Sequence, residues 1–274
     1  MYNIIPDPDK LIYSKKTNKI VLFYFFKYSN RETNSIKIKK IFKDNEIKCL
    51  HWFNCEYTII GQEDFWTSAS IIEFKSKKHL KKIYHKKISN NKIKAFQIFN
   101  LKPNNPPKII LFIIKLLRPF GILIDLIVKN SIDSLKANSK ILPTKKQYLK
   151  LFNDNRKNKA YMINLLQSYK IAKYENSNKI ISGKEAYYKK YGIVAIRSVI
   201  LTGGNFTFAG KIIGNTLIEY NAPNDTKGIW ESIGIMEYSK PNKLFSLEKM
   251  PGYKRALNHR NAGLKRTVNI FSVK

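Results

Sequence analysis

The sequence predicts an α+β fold of two successive β-α-β-β-α-β units, and three observations carry that prediction. Short apolar runs of strand length alternate with Lys-rich amphipathic stretches, in the same order in both halves. One strand recurs nearly residue for residue. WTSASIIEF (Trp66 to Phe74) aligns with WESIGIMEY (Trp230 to Tyr238), pairing Trp66 with Trp230, Ser68 with Ser232, Ile71 with Ile235 and Glu73 with Glu237. The strand before each carries Ile-Ile-Gly, at Ile59 to Gly61 and at Ile212 to Gly214. Matched strands in matched order read most economically as a tandem repeat.

Taken in order, residues 1–18, with two prolines and several charges, read as an extended arm. KIVLFYFFKYSN suits a buried strand and the polar stretch to Asp44 a helix. IKCLHWFNCEYTIIG is a second strand, WTSASIIEF a third, KSKKHLKKIYHKK a basic helix and IKAFQIFNL a fourth strand, completing a first unit over 19–103. Residues 104–142 form an apolar linker, and 143–274 a second unit. In that unit AYMINLLQSY is a strand, and a helix runs from Ser182 to Val199, with Glu185 completing a capping box. GGNFTFAGKIIG and WESIGIMEY follow as strands, PNKLFSLEKM opens a helix with Pro241 in its first turn, and RTVNIFSV closes the sheet.

The linker IILFIIKLLRPFGILIDLIV is the most apolar stretch, and it follows the Pro-rich break NLKPNNPPK. Its length suits a bilayer span, but Lys115, Arg118, Pro119 and Asp125 interrupt it, and each central charge costs ~2.5–3.5 kcal/mol on insertion scales. At ~100° per residue, Lys108, Lys115, Arg118, Asp125 and Lys129 share one narrow arc. That describes a helix pair kinked at Pro119. Two readings stand side by side: helices on an anionic membrane surface through 108–129, or helices packed within the protein or against a partner subunit.

Hydrophobic residues make up 43% of the chain, enough to exclude a disordered protein. Lys and Arg number 51 against 19 acidic residues, a formal +32, which raises nucleic acid or anionic lipid as partners. Heavy use of Lys, Ile and Asn together is also what an A+T-rich coding sequence produces, so a solvated lysine coat is the expectation. No RNP1-like pattern supports RNA binding, and nucleic acid is not expected as a partner. Cys49 and Cys55 are too few for a disulfide framework, and the N-terminus lacks signal-peptide order, so a cytoplasmic protein is expected, or one peripheral at the inner face of the membrane if the linker meets lipid.

The chain carries no phosphate-binding glycine loop, His-Glu-x-x-His or nucleophile elbow. Cys49, His51 and Cys55 would share one face of an unbroken strand, yet three ligands along one strand span too far for one tetrahedral ion. No metal and no cofactor are expected. The C-terminal unit offers more. Tyr253, Arg255, His259 and Arg260 precede the last strand, Tyr161 and Asn164 lie on the first strand, and Tyr188 and Tyr191 on the first helix. Arg and His near Tyr and Asn make an anion or carbonyl pocket, with His259 as general acid or base, Arg260 as carboxylate clamp and Glu237 beside them. The competing reading pairs His259 and Arg260 with Glu237 merely to cap the sheet.

The stretch from Tyr161 to Val273 resembles the DUF1330 family of dimeric α/β-barrel proteins. The resemblance rests on Asn164-Leu-Leu, the Ala186 to Gly192 tyrosine segment, the Trp-initiated strand and Pro-x-Tyr-x-x-Ala-x-x-His-Arg-x-Ala-Gly-Leu-x-Arg-Thr from Pro251 to Thr267. The N-terminal unit has no counterpart of His259 and Arg260 before IKAFQIFNL, so it looks degenerate. The resemblance implies ferredoxin-like units with two four-stranded sheets face to face, paired within one chain as a pseudo-dimer or in a homodimer. It also implies a small-molecule ligand between sheet and helices. The superfamily includes cofactor-independent oxygenases and isomerases, but a reaction does not follow from a fold.

Overall fold

In the computed structural model the aromatic run after Lys19 forms β1 (Ile20–Tyr28), and Asn30 caps α1 (Arg31–Asp44) by accepting the Thr33 N–H at 3.2 Å. β2 (Lys48–Ile60) and β3 (Ser68–Phe74) follow, then α2 (Lys77–Tyr84) with Ser76 as its cap, and β4 (Ile93–Pro103). The structure describes residues 3–11, 19–61, 64–86, 92–127, 141–175 and 180–274, so Lys129 and the arm beyond Leu11 lie outside it. Within the described part of the arm, Ile4, Ile5 and Leu11 are buried.

The linker holds α3 (Lys108–Leu116) and α4 (Arg118–Ile127), broken just before Pro119 as that ring requires. A further helix, α5 (Lys145–Phe152), has a full capping box between Thr144 and Gln147. The second half contains β5 (Ala160–Ser168), a π-helical segment (Glu185–Gly192) running into α6 (Ile193–Leu201), and β6 (Asn205–Ile212). The short β7 (Ile218–Tyr220) and β8 (Ser232–Tyr238) come next. A 3₁₀ segment (Pro241–Lys249), α7 (Tyr253–Gly263) and β9 (Leu264–Val273) complete the chain.

All strand pairs are antiparallel, in the order β1-β3-β2-β9-β5-β8-β6-β4, and β4 returns to β1. Eight strands therefore close into a ring, to which β7 adds on β4. Within each half the first and third strands are central: β4-β1-β3-β2 in one and β9-β5-β8-β6 in the other. The alternation of each strand then sorts its side chains. Val21, Phe23 and Phe25 of β1 point into the ring, where one apolar cluster takes residues from all eight strands. Leu22, Tyr24 and Phe26 point outward onto Ile38 and Phe42 of α1 and Leu80 and Ile83 of α2. The outer face of the second half meets the π segment, the 3₁₀ segment and α7 through Met162, Tyr191, Leu247 and Tyr253.

β2 is not the unbroken strand that the cysteine spacing assumes. Its register shifts between Cys49 and His51 and again between Cys55 and Tyr57. Cys55 is buried inside the ring, with its thiol pushed up to about 12 by burial, while Cys49 is exposed.

Candidate functional site

The sequence-predicted site residues fall into three groups. The first is inside the ring. Tyr161 donates its hydroxyl to Glu237 Oε2 at 2.9 Å, Asn205 donates to Oε1 at 2.9 Å, and Lys159 lies 3.0 Å away. Lys274 sits 4.8 Å from the centre of the Tyr161 ring. Burial raises the Glu237 pKa, but bonds from Asn205, Lys159 and Tyr161 outweigh it and hold the group below the ordinary carboxylate value. The same environment pushes Tyr161 up to about 12, chiefly through burial, with Glu237 adding to it.

The second group lies on the opposite face of the same sheet. Tyr161 and Asn164 are three residues apart on one strand, so they point to different sides. Asn164 donates to the carbonyls of Gly234 and Met162, each at 3.1 Å, and the hydroxyls of Tyr188 and Ser232 are 2.6 Å apart. Tyr191 and Tyr253 bring their hydroxyls to 3.2 Å within the apolar layer under the π segment. Burial raises the Tyr253 pKa well above its usual value and lifts Tyr188 to about 12, so Tyr253 and Tyr188 keep their protons at neutral pH.

The third group is on α7. Arg260 is buried and donates to the Ile141 carbonyl at 2.5 Å and to Asn261 Oδ1 at 3.4 Å. His259 Nδ1 is 2.7 Å from the Tyr174 hydroxyl. Arg255 is exposed. Glu237 makes its bonds inside the ring and not with His259 or Arg260, so neither the pocket nor the sheet cap expected of these residues is assembled around it.

Sequence reasoning passed over a cavity of about 450 Å³ on the outside of the second half. It is lined by Asp125 and Leu126 of α4, Phe152 of α5, Asn153 and Asn155 after it, and Lys240, Asn242, Lys243, Ser246 and Lys249 around the 3₁₀ segment. Asp125 is the anchor. Lys243 donates to its Oδ2, and Lys249 Nζ is 3.0 Å from Oδ1 and donates to the Asp125 main-chain carbonyl at 2.8 Å. Burial raises the Asp125 pKa, while bonds from Lys243, Ser246 and Lys249 more than offset this, leaving it below the ordinary value. Two lysines thus hold one carboxylate and a third, Lys240, lines the same cavity, which keeps an excess of positive charge. The one usable signal in the sequence was Asp125, a lone acid in an apolar helix, for which a buried cation is the expected partner.

No family profile and no curated protein matches the sequence. Among solved structures, the chain is similar to RPA0582, a protein of unknown function from Rhodopseudomonas palustris, at 24% identity and TM-score 0.40 over 49% of this chain and 95% of that one. It is also similar to an anthrone oxidase-like protein, at 9% identity and TM-score 0.40 over 96% and 94%. A chlorite dismutase mutant from Candidatus Nitrospira defluvii matches at 9% identity and TM-score 0.42 over 98% and 96%. These TM-scores lie below 0.5, and the ring architecture rests on the chain's own strand pairing.

Proposed function

We propose that this chain is a small-molecule-binding protein of the dimeric α/β-barrel type, closed within one polypeptide, whose second half takes a small organic anion. The cavity carries the reading. Its volume falls within the ~300–1,000 Å³ of small-ligand sites, and it combines a lysine excess with Phe152 and Leu126 as apolar walls. Such a lining suits a carboxylate or phosphate on an apolar body. The tyrosine layer beneath, with Tyr191 and Tyr253 packed against Leu247 and Met250 of the 3₁₀ region, is the floor on which the lysine-bearing segment rests. In this reading Asn164, Tyr188 and Arg260 brace that floor.

The DUF1330 resemblance and the tandem repeat belong to the same proposal. What supports the repeat is that the matched Trp-Ser-Ile-Glu strands, β3 and β8, hold the same central position in the two halves. The first half then serves as the partner sheet and the second as the binding half.

Thermal melting with benzoate, phenyl phosphate and uncharged benzamide tests the binding site. The two anions should raise the melting temperature saturably and benzamide should not. Lys240→Gln, a surface change, should weaken anion binding on the order of tenfold, or ~1.4 kcal/mol. Equal stabilisation by benzamide, or unchanged anion binding in Lys240→Gln, would remove the proposal.

A further inference from the structure

The linker helices turn the usual amphipathic arrangement round. Arg118, Gly121 and Asp125 face the protein: Arg118 donates to the carbonyls of Ile200 at 3.1 Å and Gly204 at 2.7 Å, and Asp125 holds its two lysines. The apolar side chains face away. Of 18 large apolar residues left exposed among the described residues, eleven lie between Ile109 and Ile127, with Phe120 67% and Leu126 76% exposed. At roughly 100 Å² apiece they cover on the order of 1,000 Å², against ~300–600 Å² for the largest patch on a typical monomer.

We propose that α3 and α4 dock on the surface of an anionic phospholipid bilayer, with their apolar sides in the headgroup and acyl boundary. The helices have 9 and 10 residues, and no helix among the described residues is long and apolar enough to cross a membrane, so they lie on the bilayer. Charge selects the occupant. Lys108 and Lys115 are exposed on these helices, while their one carboxylate, Asp125, is buried against Lys243 and Lys249. A second copy docking on the same face would gather the Lys108 and Lys115 of both copies about one contact, between two molecules of formal charge +32. An anionic bilayer meets the same lysines with opposite charge, worth ~1 kcal/mol for each one near the surface.

The test is co-sedimentation of the full chain with phosphatidylglycerol vesicles and, separately, phosphatidylcholine vesicles. Binding should favour phosphatidylglycerol. The surface variant Leu116→Gln/Phe120→Gln/Leu123→Gln should lose it by at least about tenfold while keeping its near-ultraviolet circular dichroism. A second variant, Phe120→Trp, reads the face directly: its emission should shift to the blue with phosphatidylglycerol vesicles. Three results overturn the proposal: no binding by the parent chain, full binding by the triple variant, or a dimer in solution that the triple variant dissolves. If the triple variant misfolds, an unshifted Phe120→Trp emission overturns it alone.

Discussion

At the scale of the residue, the Tyr161–Glu237–Asn205–Lys159 group makes the clearest case for coupling between protonation and stability. Glu237 has a folded pKa below its ordinary value, so its contribution is fully present above the unfolded value and is lost as pH falls through the folded one. Glu237→Gln should therefore melt below the parent at neutral pH, and the gap should close as the pH falls below the ordinary carboxylate value and through the lower folded one. Ultraviolet titration adds a second readout, since removing the carboxylate should lower the Tyr161 pKa. A constant gap across the acid range would show that the carboxylate does not act through its charge. These residues also show where the sequence was legible. Tyr161 and Glu237 were both among the candidate residues, but Glu237 was matched with His259 and Arg260, whereas the strand register puts it directly opposite Tyr161. Grouping them with Asn164 overlooked the two-residue period of a strand, and grouping Arg255 with Arg260 overlooked that five residues turn a helix by ~140°.

At the scale of the element, close backbone approach decides what sequence patterns leave open. A Cβ on Gly121 would come within 2.5 Å of both the Cβ and the main-chain oxygen of Leu201, so α4 crosses the end of α6 at a distance only glycine permits. Gly121→Ala should cost ~1–3 kcal/mol by overpacking, read as a lower melting temperature together with faster tryptic cleavage near Arg118. A melting temperature equal to the parent's would mean that α4 is not seated on α6. Gly183 and Gly263 make a similar contact, since a Cβ on either would come within 2.7 Å of the other's carbonyl oxygen, and this brings the end of α7 against the start of the π segment. The sequence announced a helix here, and Ser182 does accept the Glu185 N–H at 3.0 Å, but nothing local distinguishes the π form. Other elements were legible and passed over. Thr144-x-x-Gln147 is a helix-start signature, and α5 begins there.

At the scale of the whole molecule, the order of strands within each half follows from the sequence, because the split β-α-β-β-α-β pattern makes the first and third strands central. Closure of the ring does not follow, because the contacts that close it join segments more than 100 residues apart and leave no local mark. The two seams differ. β2 meets β9 from Asn54 to Ile60, whereas β4 pairs with β6 at Leu101, Lys102 and Pro103, one of which lacks an N–H, flanked by single backbone bonds from Asn104 to Ala209 and from Ile213 to Asn100. Hydrogen exchange should find residues 101–103 and 210–212 opening on the order of tenfold faster than the β5–β9 ladder. Equal protection at both places would indicate a ring that opens only by global unfolding.

Closure of the ring also bears on how this chain escapes self-association. An open sheet this rich in Ile and Phe would offer its terminal strands as templates for edge-to-edge growth, the route by which β proteins aggregate. Among the described residues each strand of the ring has a neighbour on both sides, and the three-residue β7 ends the sheet. The apolar surface that remains is helical and lies on α3 and α4, where contact buries side chains without recruiting backbone. In storage or overexpression, the protein should therefore resist growth into cross-β fibres.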